Sequence, residues 1–182
     1  MINKIKDTTV IGDPMDPKVN LGPIAMERQK TKLISQIKAA VANDGATIAY
    51  GSTDYNITDS ALSGGNYVEP MVLENIKVNS PSWSEEFFGP TFNLWRGSSE
   101  EHCLELANNS NYGLSAAVFT ENEERLRYAS RNMRNGAVFC NSVSTTAPDF
   151  PSGGIKGSGY GRECYSDGLH DIANRKSIIT RP

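Results

Sequence analysis

Histidine is scarce in this chain: His102 and His170 stand far apart, and neither belongs to a recognisable ligand pattern. A metal centre is therefore not expected. Cysteine is almost as rare. Cys103, Cys140 and Cys164 are odd in number and widely spaced, which argues against a disulfide framework and against a Cys-x-x-Cys zinc or redox site. Buried or half-buried reduced thiols are expected instead. No basic run occurs, and 18 Lys and Arg against 21 Asp and Glu leave a net charge of −3, so the electrostatic footprint of a nucleic-acid binder is missing. No apolar run approaches the ~20 residues that span a bilayer, and the segment from Met1 to Asp7 lacks the apolar stretch of a signal peptide. These absences predict a cytoplasmic protein with a small-molecule or protein partner, no nucleic acid and no membrane. There is no internal repeat.

What is present is enough for one domain. A chain of 182 residues can bury a real core. Counted with Gly and without Tyr, about 43% of it is apolar, a little under the usual share, which fits a piece whose core is completed elsewhere. Helices and strands alternate, which predicts an α/β fold with a largely parallel sheet. The first long helix is expected from Met26 to Asn43, with Leu33, Ile34, Ile37 and Val41 on one stripe and Gly45 as its stop. Strands are expected at 46–50, 66–73, 92–95, 115–119 and 137–140, and a polar loop at 51–65. Ser98 with Glu101 and Thr120 with Glu123 have capping-box spacing for two further helices. Leu126, Ala129 and Met133 share a face of the second of these, which Gly136 stops. A last helix near 165–173 precedes a strand at 176–180 with nothing after it to pair with, a natural oligomer contact.

Several positions carry chemical interest. Read alone, Glu86 is a solvated loop charge and Phe88 a core residue. Asn141 and Ser142 fall at the carboxyl end of a strand, where open α/β sheets hold ligands, although Asn141 is equally an ordinary end-of-strand polar residue. The glycines at 153, 154, 157, 159 and 161 invite a phosphate-cradle reading. That reading is rejected, because a dinucleotide fingerprint needs a strand before it and a helix after it, so close backbone packing is the expectation.

Five blocks in one order resemble the aldehyde dehydrogenase family and cover nearly the whole chain. They are Gly12-Asp13-Pro14-Met15-Asp16 leading to Gly22-Pro23; Glu86-Phe87-Phe88-Gly89-Pro90; the run from Ala107 to Leu114; the run from Gly136 to Asn141; and the run from Pro151 to Glu163. The resemblance implies the C-terminal part of a Rossmann-like catalytic domain over 1–175 and an oligomerisation strand over 176–182. It implies NAD or NADP as cofactor, with Glu86 holding the nicotinamide ribose hydroxyls and Phe88 beside the nicotinamide ring. Asn141, Ser142 and Ser152 would border the substrate channel. Lys156, Arg162 and Glu163 match the family pattern and are expected to form structural ion pairs. The run from Glu86 to Arg96 and the block Gly161-Arg162-Glu163 look most like the succinate-semialdehyde dehydrogenase branch.

Two departures stand out. Ser152 occupies a position where the family usually has Phe, which implies a looser loop or a more polar pocket. The segment from Met1 to Val10 enters partway along the helix that precedes Gly12 in relatives. The family's nucleophilic cysteine, its general-base glutamate and the first βαβ unit of its cofactor site lie upstream of the matched segment, and none of the three cysteines here occupies the nucleophile's motif. The expectation is a chain that does not oxidise aldehydes alone, whether as a silent product of a split or truncated gene, as one half of an enzyme completed by a separate chain, or as a homo-oligomeric scaffold module.

Overall fold

The computed structural model describes residues 1–181, which fall into two compact units meeting between Arg96 and Gly97.

The first unit opens with a short helix α1 (Ile2–Thr8), whose Lys6 ammonium sits 5.2 Å from the ring centre of Tyr50. The long helix α2 (Glu27–Asn43) follows. Leu33, Ile37 and Ala40 are its buried stripe, with Ile34 packed at the margin, whereas Val41 is exposed and does not join it as expected. Gly45 has φ +76°, the left-handed conformation that ends helices, and the preceding Asp44 closes the turn onto Ala40. The Asp44 carboxylate then accepts the Ser82 amide at 3.0 Å, while its carbonyl accepts from Lys77 at 2.9 Å. One side chain thus satisfies an otherwise orphan amide of the short helix α3 (Pro81–Ser84) and ties it to the end of α2.

Beside these helices lies a three-stranded sheet in the order β1 (Thr47–Tyr50), β2 (Met71–Glu74), β3 (Thr91–Leu94). β1 runs antiparallel to β2, and β2 runs parallel to β3 with Met71 opposite Thr91 and Glu74 opposite Leu94. Of the strand expected over 66–73, only the end forms a ladder, although Tyr67 and Val68 ahead of it are buried. Met71, Leu73, Ile76 and Phe87 close over Leu33 and Ile37 to make the core.

The second unit holds α4 (Glu100–Asn108), β4 (Ser115–Val118), α5 (Glu123–Asn132), β5 (Ala137–Cys140) and α6 (Tyr165–Asp171). β4 and β5 pair in parallel over four register positions. Both helix starts differ by one or two residues from the capping boxes expected. Ser99, not Ser98, caps α4 by accepting the His102 amide, and Asn122, not Thr120, caps α5 by accepting from Glu124 and Arg125. The chosen residue is the one whose own backbone is extended immediately before the first helical turn.

Two further expectations are corrected by the structure, and the terminal segment finds no partner within the chain. Residues 176–181 belong to no element within the single chain, because a strand exists through ladder hydrogen bonds and no described segment of this chain supplies them. Pro182, the last position of the expected oligomerisation segment, lies outside the described residues. Cys103 and Cys140 are exposed and Cys164 half-buried, since the two-stranded sheet leaves much of this unit uncovered. Lys156 and Arg162 are structural but make no ion pairs among the described residues. The Lys156 ammonium donates to the Asn108 carbonyl at 3.1 Å, and Arg162 Nη1 donates to the carbonyls of Gly154 and Gly161. Glu163 contributes its backbone, exchanging two hydrogen bonds with Ser152 at 2.9 and 2.7 Å. The glycines of this loop do allow close packing. A Cβ on Gly157 would meet the Asn111 carbonyl at 2.8 Å, and one on Gly154 would meet Ser158.

Candidate functional site

The loop between α3 and β3 is wound by two consecutive three-residue turns. The Gly89 amide donates to the Phe87 carbonyl at 2.9 Å, and the Thr91 amide donates to the Gly89 carbonyl at 2.7 Å. Pro90 then presents its carbonyl to Met71 at 2.9 Å and hands the chain to the sheet. Within this winding Phe87 is driven into the core while its neighbours face outward, with Glu86 exposed and Phe88 66% exposed. Reading Phe88 as a core residue is therefore wrong; Phe87 takes that place. Gly89 lies so close to Leu33 that a Cβ would run into that buried side chain, which seats the loop directly on α2.

The two adjacent carboxylates of this loop have different surroundings. Gln36 on α2 donates from Nε2 to Glu85 Oε2 at 2.8 Å and, more weakly, to the Glu86 carbonyl at 3.4 Å. Glu85 is thereby held against the helix. The Glu86 carboxylate has no partner among the described residues. Next to an exposed aromatic ring, a free carboxylate is a fitting acceptor for a ligand that carries adjacent hydroxyls and a flat ring. Gln36 was not singled out from the sequence. It lies 49 residues from Glu85, and no local pattern encodes that contact.

In the second unit Asn141 has φ +50°, and its side-chain amide is fully engaged with one residue. Its Oδ1 accepts the Thr120 amide at 2.8 Å and its Nδ2 donates to the Thr120 carbonyl at 2.9 Å, while its backbone amide donates to Val118 at 2.7 Å. The carboxyl ends of β4 and β5 are pinned together by this pairing. Ser142 is exposed with only a long contact to the Val143 carbonyl, and Ser152 is half-buried in its bridge to Glu163. Glu86 and Phe88 thus share one loop of the first unit, and Asn141 and Ser142 share one strand end of the second. A cavity of about 480 Å³, not foreseen from sequence, lies along α4, β4 and α5, with Cys103, Phe119, Tyr128 and Met133 in its wall. An Arg125–Glu100 ion pair at 3.4 Å lies between two of its lining residues.

An α/β protein that turns a free carboxylate and a flat apolar ring outward ahead of a parallel strand has the makings of a nucleotide-type site. The comparisons with known proteins name the class. The sequence profile of the Aldehyde dehydrogenase family matches residues 1–178. The chain is 34% identical over 173 residues to a succinate-semialdehyde dehydrogenase [NADP(+)] of Deinococcus radiodurans, a match covering 95% of this chain and 35% of that protein. It is 36% identical over 170 residues to the chloroplastic betaine aldehyde dehydrogenase of Beta vulgaris, covering 93% of this chain and 33% of that one. The crystal structure of succinic semialdehyde dehydrogenase from Streptococcus pyogenes in complex with NADP+ superposes with a TM-score of 0.88 at 33% identity, over 99% of this chain and 38% of that one.

This chain belongs to the aldehyde dehydrogenase family and has the fold of its C-terminal catalytic part. It spans about a third of the length of these relatives.

Proposed function

We propose that residues 85–90 form the nicotinamide side of a cofactor site in an NAD- or NADP-dependent aldehyde dehydrogenase. Glu86 accepts hydrogen bonds from the two ribose hydroxyls, and Phe88 walls the nicotinamide ring. The observation that carries this reading is the division between neighbouring carboxylates: Gln36 occupies Glu85 and leaves the Glu86 carboxylate open. When bound, the cofactor supplies the hydride acceptor. The chain's own contribution is to grip the sugar, cover one face of the ring and hold both contacts at a fixed height through the buried Phe87.

Succinate semialdehyde is the substrate this reading assigns to the whole enzyme, supported by several relatives that are succinate-semialdehyde dehydrogenases. Ser142 and Ser152 border its channel, and Asn141 supports that border by holding the loop at Thr120. No cysteine of these 182 residues stands in the family's nucleophile motif, so alone they do not oxidise aldehydes. Other residues, on the same polypeptide or a separate chain, supply the thiolate and the base. A second reading is a homo-oligomeric, non-catalytic module, and the favouring observation is Ile178 and Ile179, 81% and 82% exposed, in a segment without a ladder partner among the described residues.

Saturation-transfer NMR with nicotinamide mononucleotide tests the proposal on the purified chain. Transfer to ribose and ring protons is expected, lost in Glu86→Ala and kept in Glu85→Ala. Absence of transfer in the unmodified chain, or loss in Glu85→Ala with retention in Glu86→Ala, rejects it.

A further inference from the structure

The carboxyl ends of β2 and β3 border a cavity of about 400 Å³ lined by Glu74, Asn75, Leu94, Trp95 and Arg96. It lies at the opposite end of β3 from the Glu86 loop, which enters that strand at Thr91. Strand carboxyl ends are where parallel sheets hold ligands, and the volume falls within the ~300–1,000 Å³ range of small-molecule sites.

The walls are rigid and the charges are open. The Trp95 indole N–H donates to the Ile76 carbonyl at 2.9 Å, and its ring meets Trp83 edge-on at 4.6 Å between centres, yet the ring stays 36% exposed. Asn75, with φ +64°, turns the chain at the rim and is fixed by its bond to Thr47 Oγ1 at 3.0 Å. Glu74 is the register partner of Leu94, and Arg96 lies two residues beyond Leu94, just past the end of β3. Two unlike charges therefore line one space. Among the described residues, the Glu74 carboxylate and the Arg96 guanidinium pair neither with each other nor with any other side chain.

We propose that this cavity binds a short zwitterionic amino acid. Its ammonium lies against the Trp95 ring and the Glu74 carboxylate, and its carboxylate takes the Arg96 guanidinium. A simple anion would meet the Glu74 charge, and a simple cation would meet that of Arg96. A molecule carrying both charges satisfies both walls. This assignment is independent of the cofactor reading, since it uses none of the residues in the Glu86 loop.

The chain has only two tryptophans, Trp83 and Trp95, so emission excited selectively from tryptophan reports on this corner alone. The experiment is a fluorescence titration of the full chain with β-alanine, using propionate and propylamine as carriers of one charge each. A saturable change with β-alanine is expected, at least about tenfold weaker with either single-charge compound, and weakened about tenfold in Glu74→Gln and in Arg96→Gln. Glu74 is half-buried and Arg96 exposed, neither side chain is paired among the described residues, and circular dichroism of both variants checks the fold. The indole N–H resonances of the unmodified chain provide a second readout. No saturable response in either observable, or an equal response to propionate or propylamine, overturns the proposal. So does an unchanged response in both folded variants.

Discussion

The two units contain the same piece of backbone architecture in different surroundings. β2 with β3 and β4 with β5 are both parallel pairs of four register positions. In the first unit that pair lies under α2, beside a third strand, and every buried apolar side chain among the described residues falls between Leu33 and Phe87. Among the described residues of the second unit only Gly113 and Gly154 are buried, and neither α4 nor α5 contributes a buried residue. Ladder hydrogen bonds alone therefore do not distinguish a stable sheet from an incomplete one. The difference comes from the layer that covers it, because a small sheet needs a packed face to be stable by itself. Extended loops substitute for that layer in the second unit. The glycine segment closes onto Gly113 and Gly136, and Phe150 meets Phe139 edge-on at 6.3 Å.

This contrast predicts a large gap in native-state hydrogen exchange. Amides of Met71 and Leu73 are expected to exchange at least about a hundredfold more slowly than those of Ala116 to Val118, because opening β2 requires dismantling the core. Equal protection would break the comparison. Truncation of a core side chain comes next in size. Leu73→Ala is expected to lower stability by about 2–5 kcal/mol in urea denaturation, and Leu126→Ala, on the half-buried face of α5, by about 1 kcal/mol. Gly89→Ala sharpens the link between loop and core. The added methyl group displaces Leu33, with an expected loss of about 1–3 kcal/mol by the same assay and a perturbed Phe88 environment in NMR.

Helix caps supply a control in which the units behave alike: Ser80→Ala and Asn122→Ala are each expected to cost about 1 kcal/mol. The smallest effect is one of pH. Hydrogen bonding from its own backbone amide, then from the Ser99 hydroxyl, holds the Glu101 carboxyl below its ordinary value at the start of α4. Its stabilising contribution is full above the unfolded carboxylate pKa and disappears as pH falls through the lowered folded value. In Glu101→Gln that part of the acid-side stability slope is absent, which acid titrations of the two proteins compare directly.

The parts legible in the sequence were those written in local patterns. The stripe through Leu33 and Ile37, the stop at Gly45 and the strand at 137–140 all follow from periodicity and glycine placement. The outward presentation of Phe88 did not, because Phe87 and Phe88 are the same residue type and only the turn geometry decides which one turns inward. Gln36 was hidden for another reason: its partner is brought to it by the packing of the loop against α2. The terminal segment forms no ladder within the chain because β propensity describes willingness to pair, and pairing takes a second strand. Lys156 and Arg162 found carbonyls because the tight glycine loop turns its own backbone oxygens toward them.

The placement of Phe87 has a thermodynamic consequence. It is anchored in the core between two residues that face outward, so a ligand gripping Glu86 and Phe88 stabilises the seating of Phe87 against Leu33 at the same time. Occupancy of the loop and cohesion of the core are therefore linked quantities: a ligand there raises the unfolding temperature of residues 1–96, and a mutation that loosens Leu33 weakens the ligand reciprocally.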